Sequence, residues 1–381
     1  MLENLKTAPT VTQSPLGPAS VEFDGSEGVA TTNGVAGEAD FAAFLADAGF
    51  DPDLYEVVGV PRTSRWQKYD GDWLTAYRFQ FRVRTGTYDL PTLYAAAKKK
   101  ITPAKPIVSD KAYVVCWSDL QIGKVDHRGG VDQLLARVES VKAQILADIK
   151  RTKPCQVVVF DVGDLVENFS NAANLQQLRT NDLSIMQQVD LGITILYELL
   201  RDIVKLVPDV VYASVGSNHC QWRVSKQAVG TATDDWGIFV GRQLARLAAE
   251  KELPIRFYEP ATHDESLTLD VLGHRIGLIH GHQVSRPEGL PDFWRKSSFG
   301  GSPIASAQIL VTGHFHHLRV TELGMDQTGQ SRFWIQSATL DNGSGWFKKI
   351  SGEDSQPGVV CFVVEQGKQY TGSVSKFVTE F

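Results

Sequence analysis

The stretch Val311-Thr312-Gly313-His314-Phe315-His316-His317 joins the end of an apolar run to a cluster of histidines. Residues 307–311 predict a buried strand, and Gly313 allows the backbone to turn after it. His314 and His316 then extend from the strand end into shared space. Imidazoles two residues apart can reach two metal ions only when those ions lie close together. This stretch therefore predicts further metal ligands at the ends of other strands.

The composition is that of a globular protein with one large domain and a small one. Of the 381 residues, 43% are hydrophobic and 22% are charged. The formal net charge of -6 excludes the global basic field of a nucleic-acid coat protein, so a polyanion must be met by a local patch or by metal ions. Four separated cysteines without a Cys-x-x-Cys pair argue against a zinc ribbon or a disulfide framework.

Targeting signals are not evident in this sequence. It contains no apolar run of about 18 residues, and its first residues lack the charged-then-apolar pattern of a signal peptide. Cysteine usage of this kind suits a reducing compartment. The sequence therefore predicts a cytoplasmic protein with no membrane partner.

The chain divides into four predicted segments. Residues 1–38 are rich in small and polar side chains without a period and predict a disordered tail. Residues 39–90 contain one helical and two strand patterns and predict a small α+β module. Residues 91–110, with the Lys98-Lys99-Lys100 triplet, predict a linker. Residues 111–381 hold strand–helix units followed by many strands and predict the main domain.

Basic and aromatic side chains interleave in the small module. The basic ones are Arg62, Arg65, Lys68, Arg78, Arg82 and Arg84, and the aromatic ones are Trp66, Trp73, Tyr77 and Phe79. Such a surface can bind a nucleic-acid strand by stacking and charge. A packed module with a solvated basic face is the alternative.

The main domain predicts an α/β fold in which two β-sheets pack face to face as a sandwich flanked by helices. Its apolar runs at residues 112–117, 156–160 and 210–215 each end in a polar cluster. These clusters begin at Asp119, Asp164 and Asn218. The C-terminal ends of strands are where open α/β sheets build their sites.

Five clusters together resemble the calcineurin-like metallophosphoesterase superfamily, in that family's order, over about residues 112–345. They are Asp119-Leu120-Gln121, Gly163-Asp164 with Glu167-Asn168, Ser217-Asn218-His219-Cys220, His280-Gly281, and Gly313-His314-Phe315-His316. Six of the nine histidines fall in or beside three of these clusters, whereas structural histidines would scatter. The resemblance implies the family's four-layer αββα fold.

The resemblance also implies two divalent metal ions and the residues that hold them. The first metal would take Asp119, Gln121, Asp164 and His316, and the second would take Asp164, Asn218, His280 and His314. Two cations about 3.5–4 Å apart clamp the attacking and leaving oxygens of a phosphate ester and lower the pKa of a bound water. His219 would lie beside them and stabilise the developing charge or protonate the leaving oxygen. Contacts to substrate, or simple orienting hydrogen bonds, are expected of Asn168, Arg223, His282 and His317.

Two residues depart from the family pattern. Gln121 stands where the family has a histidine, which makes the first site rich in oxygen and favours Mn²⁺ or Mg²⁺ over Zn²⁺ or iron, or else leaves that metal weakly held. Cys220 replaces the acid that can orient the neighbouring histidine. Either another acid orients His219, for which Asp234 and Asp235 are candidates, or His219 is less basic than usual.

Within the superfamily, Ser118-Asp119-Leu120-Gln121-Ile122-Gly123 is most similar to the opening of the double-strand-break repair nucleases, and the layout resembles phage-encoded proteins of that type. This implies a DNA endo- or exonuclease, with an ATPase partner subunit; a homodimer is left open. One alternative is a phosphodiesterase or phosphatase acting on small nucleotides or phosphoproteins, which the acidic net charge favours. The other is a catalytically weak, nucleic-acid-binding scaffold, which only Gln121 and Cys220 favour.

Overall fold

The structure, a computed structural model, describes residues 20–23, 27–32, 34, 41–49, 55–83, 101–168, 180–224, 227–345, 348–349, 352 and 354–379. The predictions for the first nineteen residues, for Arg84 and for the Lys98-Lys99-Lys100 triplet lie outside these residues. The chain forms two compact units, Met1–Gly86 and Thr87–Phe381.

The smaller unit is a four-stranded antiparallel sheet with one helix packed on it. The sheet order is β1 (Ser20–Phe23), β2 (Glu27–Thr31), β4 (Trp73–Val83) and β3 (Tyr55–Gln67), and the helix is α1 (Phe41–Asp47). Leu45 of α1 is buried with Phe79 and Phe81 of β4. Alternation along β4 places both phenylalanines on the face that meets α1.

The predicted disordered tail is wrong for Ser20–Phe23 and Glu27–Thr31. There β1 and β2 form a hairpin, and β2 pairs with β4 from Glu27 opposite Arg82 to Thr31 opposite Arg78. Pairing with a strand fifty residues away holds this segment, so its local composition does not reveal it. β3 ends at Gln67, and a turn at residues 68–72 connects it to β4.

The larger unit contains a six-stranded sheet with a parallel centre. In spatial order its strands are β10 (Ile255–Tyr258), β7 (Asp209–Ser214), β6 (Gln156–Asp161), β5 (Lys111–Trp117), β16 (Gly358–Glu365) and β17 (Val374–Val378). β5, β6, β7 and β10 are parallel, whereas β16 runs antiparallel to β5, and β17 runs antiparallel to β16. The parallel strands therefore present their C-terminal ends at one edge.

A five-stranded sheet packs against this one. Its order is β11 (Leu267–Val271), β12 (His274–Leu278), β13 (Ile309–Thr312), β15 (Ser331–Gln336) and β14 (Arg319–Met325). Val114 and Phe160 of the first sheet share a buried cluster with Ile276, Val311 and Ile335 of the second. The interior between the two sheets is thus the central core of the unit.

Helices cover the outer face of each sheet, which confirms the predicted sandwich flanked by helices. Val115 points away from Val114 and packs with α2 (Val131–Thr152), α3 (Ile185–Val204) and α4 (Trp236–Glu250). Beyond the second sheet, Leu310 and Trp334 pack against Trp294 of α5 (Leu290–Ser297). The remaining described elements are the short strands β8 (Arg223–Val224) and β9 (Gln227–Ala228) and the 3-10 turns Pro287–Gly289 and Pro303–Ser306.

Two local features complete this unit. The helix α3 begins at Ile185, because the Ser184 hydroxyl accepts the backbone N–H of Gln187 and caps it. Residues 101–110 have no regular structure, yet Ile101 and Ile107 pack on the helical side of the core.

In the described part of the chain, every helix is too short or too polar to cross a bilayer.

Candidate metal centre

The polar loops that follow five strands meet at one edge of the sandwich. Asp119 follows β5, Asp164 follows β6, Asn218 and His219 follow β7, His280 follows β12, and His314 and His316 follow β13. The strands of each sheet that lead to these loops are parallel, so their C-terminal ends lie side by side. The structure therefore brings the predicted ligands together from positions nearly two hundred residues apart.

Many residues of this cluster have a left-handed backbone, which is rare outside glycine. In the described part of the chain nine such residues have φ between 45° and 68°. Those in the cluster are Asp119, Gln121, Asp164, Asn168, His314 and His316. Strained backbone of this kind persists only where surrounding contacts enforce it, and it concentrates at functional sites. The sharp turns aim consecutive side chains inward.

Two glycines permit the loops to approach this closely. A Cβ on Gly313 would collide with the side chains of Ser118 and Asp119. Gly163 has φ of 96°, and a Cβ there would lie 2.7 Å from Nδ1 of His280. Both positions therefore exclude a side chain because a ligand residue occupies the space.

Three acceptor atoms face one another at the centre of the cluster. Nδ1 of His280 donates to the carbonyl oxygen of Val162 at 2.7 Å, so Nε2 of the neutral ring carries a lone pair. That Nε2 lies 3.0 Å from Oδ2 of Asp164 and 3.1 Å from Oδ1 of Asn218. Acceptors this close repel unless a cation lies between them. With His314, whose ligand atom lies within 4.8 Å of those of Asp164 and His280, they form a donor set that fits a divalent metal.

Without the metal, protons occupy the same positions. Burial disfavours the imidazolium of His280, but the carboxylates of Asp164 and Asp119 outweigh it and raise its pKa to about 9. Burial would raise the pKa of Asp164, yet the His280 and His219 rings hold it well below its usual value. Burial and the neighbouring His280 lower the pKa of His314 to about 3, so that ring is neutral and ready to coordinate.

A second corner of the cluster contains Asp119 and His316. Oδ1 of Asp119 lies 3.3 Å from Nε2 of His316, and both oxygens of Asp119 accept the backbone N–H of His314 at 3.1 Å. Nδ1 of His316 faces Oδ2 of Asp341 at 3.4 Å. A carboxylate behind a histidine is the usual device that orients an imidazole toward a metal.

Gln121 lies in the same corner, but its amide oxygen is turned to a lysine. Nζ of Lys124 donates to Oε1 of Gln121 at 2.5 Å and to Oδ2 of Asp341 at 2.7 Å. The amide nitrogen of Gln121 lies 3.2 Å from Nε2 of His219. Burial disfavours the charge of Lys124, but Asp341 and Glu167 outweigh it and raise its pKa.

Another acid does orient His219, as one of the two alternatives held, but that acid is Glu167 and neither Asp234 nor Asp235. Nδ1 of His219 lies 3.2 Å from Oε2 of Glu167. Asp235 instead caps α4 and accepts the N–H groups of Ser217 and Ile238, and Asp234 accepts the N–H of Thr231. His219 is more basic than usual: burial opposes its charge, but Glu167 and Asp164 raise its pKa to about 9.

The other predicted residues lie around this cluster. Nδ2 of Asn168 donates to the carbonyl oxygen of His219 at 3.0 Å and so positions that residue. Nε2 of His282 lies 3.5 Å from Oε2 of Glu265. The centroid of its ring lies 5.5 Å from that of the His280 ring, and the two rings are tilted by 42°. Arg223 donates to Gln221 at 2.9 Å. His317 lines a cavity of about 530 Å³ together with His316 and Asp341.

Lys124 and Asp341 are two members of this cluster that the sequence analysis missed. Asp341 follows β15, which is parallel to β13, so the C-terminal ends of the two strands lie side by side. Arg137 of α2 holds the Asp341 loop through the carbonyl oxygens of Leu340 and Asp341. The sequence does contain a signal for Asp341, because an Asp341-Asn342-Gly343 turn follows an apolar strand, as in the other clusters. Lys124 carried no signal, because a lysine in a loop is usually solvated.

Comparison with known proteins adds little to this geometry. No protein-family model and no curated protein matches the chain. A solved structure from Streptococcus pneumoniae TIGR4, titled a conserved uncharacterized protein and predicted phosphoesterase, has 12% identity and a TM-score of 0.26, over 71% of this chain and 98% of that one. A protein of unknown function from Aquifex aeolicus has 15% identity and a TM-score of 0.23, over 57% and 82%. Similarity at this level does not identify a function.

We expect metal affinity to rise with pH between about pH 6 and pH 9, by up to about tenfold per unit for each proton released. The reason is that a cation must displace the proton from Nε2 of His280, whose pKa is about 9 in the metal-free protein. Calorimetric titration with Mn²⁺ in buffers of different ionisation enthalpy measures this release. A His274→Gln variant is the control, since that buried ring faces the carbonyl oxygen of Glu365 instead. An affinity independent of pH would contradict the assignment of His280.

We expect Glu167→Gln to lower the pKa of His219 from its value of about 9, because the variant removes the carboxylate that most favours the imidazolium. Titration of the ring by NMR in the metal-free protein measures the shift. Glu198→Gln is the control, since Glu198 pairs with Lys142 and Arg201 instead. An unchanged pKa in Glu167→Gln would mean that Asp164 alone sustains the charge.

Proposed function

We propose that this chain is a metal-dependent phosphoesterase of the calcineurin-like superfamily that hydrolyses DNA phosphodiester bonds. The observation that carries the proposal is the convergence of Asp164, Asn218, His280 and His314 around one buried point, with His219 beside it. This ligand set and order match the resemblance in the sequence.

The roles of the residues follow from their contacts. A bound divalent cation supplies Lewis-acid polarisation of a phosphoryl oxygen and acidifies a water molecule. His219 is held by Glu167 at Nδ1, while its Nε2 lies 3.9 Å from Oδ2 of Asp164 and so faces the ligand cluster. In its protonated form it stabilises the charge of the pentavalent phosphorus and donates a proton to the leaving oxygen.

Mn²⁺ is the metal we propose, with Mg²⁺ as the alternative. The donor set combines two imidazoles with carboxylate and amide oxygens, and such ligands suit Mn²⁺. It contains no thiolate, the ligand type that selects zinc. The nearby Cys220 is fully buried, and its Sγ faces the carbonyl oxygen of Val166, not the cluster.

The hairpin of β3 and β4 supports a nucleic-acid substrate. Arg62 lies directly opposite Arg78, a like-charge pairing that costs stability, and no carboxylate of the described residues pairs with either. The guanidinium of Arg65 lies 4.8 Å from the ring centroid of Trp73, which is half exposed. Exposed guanidinium and aromatic groups of this kind bind phosphates and stack on bases.

Other parts of the hypothesis remain predictions of the resemblance. These are the repair-nuclease branch, the phage-type layout and the ATPase partner subunit. A homodimer stays open, and the cytoplasmic location stays a prediction from cysteine usage and the lack of targeting signals. The small-nucleotide alternative keeps its support from the net charge of -6. The scaffold alternative loses ground, since the ligand set at His280 is complete and His219 has an orienting acid.

We expect the protein with Mn²⁺ to shorten or nick linear and circular DNA, and Asp164→Ala to reduce this by more than about a hundredfold. Removing even a residue that orients a metal ligand costs about 10–100-fold, and Asp164 is itself a ligand. Asp292→Ala, at an exposed carboxylate on α5, should retain full activity. Turnover of bis-p-nitrophenyl phosphate or cyclic nucleotides with intact DNA would favour the small-ester alternative. No turnover of any substrate would favour the scaffold.

We expect the double variant Arg62→Ala, Arg78→Ala to bind DNA more weakly and with less salt dependence. Loss of two phosphate contacts should reduce the slope of log affinity against log salt by about 1.4 for single strands and about 1.8 for duplex. Hydrolysis of bis-p-nitrophenyl phosphate should be unchanged. Arg82→Ala is the matched control, because Arg82 of the same strand is already paired with Glu56 at 2.7 Å. An unaltered slope would exclude the hairpin as the DNA-binding surface.

A further inference from the structure

The side chain of Lys124 reaches the metal cluster next to the corner of Asp119 and His316, through Asp341, whose Oδ2 also faces Nδ1 of His316. Its ammonium donates to Oε1 of Gln121 and to Oδ2 of Asp341, and only 12% of the side chain is exposed. Asp341 is completely buried. A cation is therefore already built into this corner of the cluster, and it is covalently part of the chain.

Both ends of the Gln121 amide are committed. The oxygen accepts from Lys124 at 2.5 Å, and the nitrogen lies 3.2 Å from Nε2 of His219. An amide has a single oxygen with which to coordinate a metal. Turning it toward a metal would remove an acceptor from the Lys124 ammonium and direct N–H groups at that ammonium. The geometry thus opposes the role of first-metal ligand that the family resemblance gives to Gln121.

The remaining ligands of the first position do not close around one point. Among the described residues, one group of three or more histidine, cysteine or acidic side chains has all its ligand atoms within 4.8 Å of one another. That group consists of Asp164, His280 and His314. Asp119, Asp164 and His316 do not form such a group. A dication placed beside the buried ammonium would also be repelled, and that repulsion is strong where water is excluded.

We propose that this centre binds one divalent cation, at Asp164, Asn218, His280 and His314, and that the Lys124 ammonium supplies the positive charge at the position of the first metal. Gln121 and Lys124 then act as a pair. The amide oxygen of Gln121, which stands where the family has a histidine, accepts a hydrogen bond from the Lys124 ammonium, and that ammonium replaces the first metal. The proposal rests on the metal centre of the proposed function but not on its DNA substrate.

Metal stoichiometry tests this without reference to activity. Purified wild-type protein is dialysed to equilibrium against Mn²⁺, and bound metal is measured by elemental analysis and by electron paramagnetic resonance. We expect one equivalent per chain and the spectrum of an isolated Mn²⁺ ion. Two equivalents with an exchange-coupled spectrum would overturn this proposal and leave the phosphoesterase function standing. No bound metal would overturn both. One equivalent without hydrolysis of any ester would overturn the function alone.

A double variant tests the part played by Lys124. Gln121→His with Lys124→Met restores a nitrogen ligand and removes the ammonium, so we expect a second equivalent of Mn²⁺ and exchange coupling. Lys142→Met is the matched control, since its side chain is 11% exposed but pairs with Glu139 and Glu198 on the helical side, and it should keep one equivalent. A folded double variant, as judged by circular dichroism, that still binds one equivalent would overturn the role of Lys124. If the variant does not fold, the wild-type stoichiometry decides.

Discussion

The carboxylate of Asp164 is buried among three loops, and each of its oxygens meets a group from another loop. Oδ1 accepts the backbone N–H of His219, and Oδ2 faces Nε2 of His280. The N–H of Asp164 itself donates to the hydroxyl of Ser217. A buried carboxylate is costly unless positive or hydrogen-bonding groups compensate it. The loops after β6, β7 and β12 are therefore tied to one another by a single charge.

That compensation explains the strained backbone around the cluster. Positive φ at Asp119, Asp164, His314 and His316 costs free energy at each residue, of order 1–3 kcal/mol. The turns persist because each places a charged side chain against its partner: His316 lies between Asp119 and Asp341, and His280 lies against Asp164. Strain in the loops is thus offset by electrostatic contacts in the cluster, and removal of one partner should loosen several loops together.

Gln121 and Cys220, the two departures from the family pattern, have different consequences. The loss of an acid at position 220 is compensated, since Glu167 of the neighbouring loop orients His219 and raises its pKa. Cys220 itself serves the core, buried against Val166. Gln121 has no such substitute; it joins a chain of polar contacts from Asp341 through Lys124 to His219. With Cys220 the orientation of His219 is preserved through Glu167, whereas Gln121 accepts a hydrogen bond from a lysine ammonium at the metal centre.

The sequence by itself determined the α/β sandwich and the convergence of Asp119, Asp164, His280, His314 and His316. Both follow from local rules: short continuous apolar runs form buried strands, and parallel strands bring the residues that follow them to one edge. Only the tertiary structure decided the pairing of β1 and β2, the orienting role of Glu167 and the place of Lys124. These depend on partners distant in sequence: β4 for that pairing, His219 for Glu167 and Asp341 for Lys124. A local pattern records which side chains are polar, but not which buried charge each one meets.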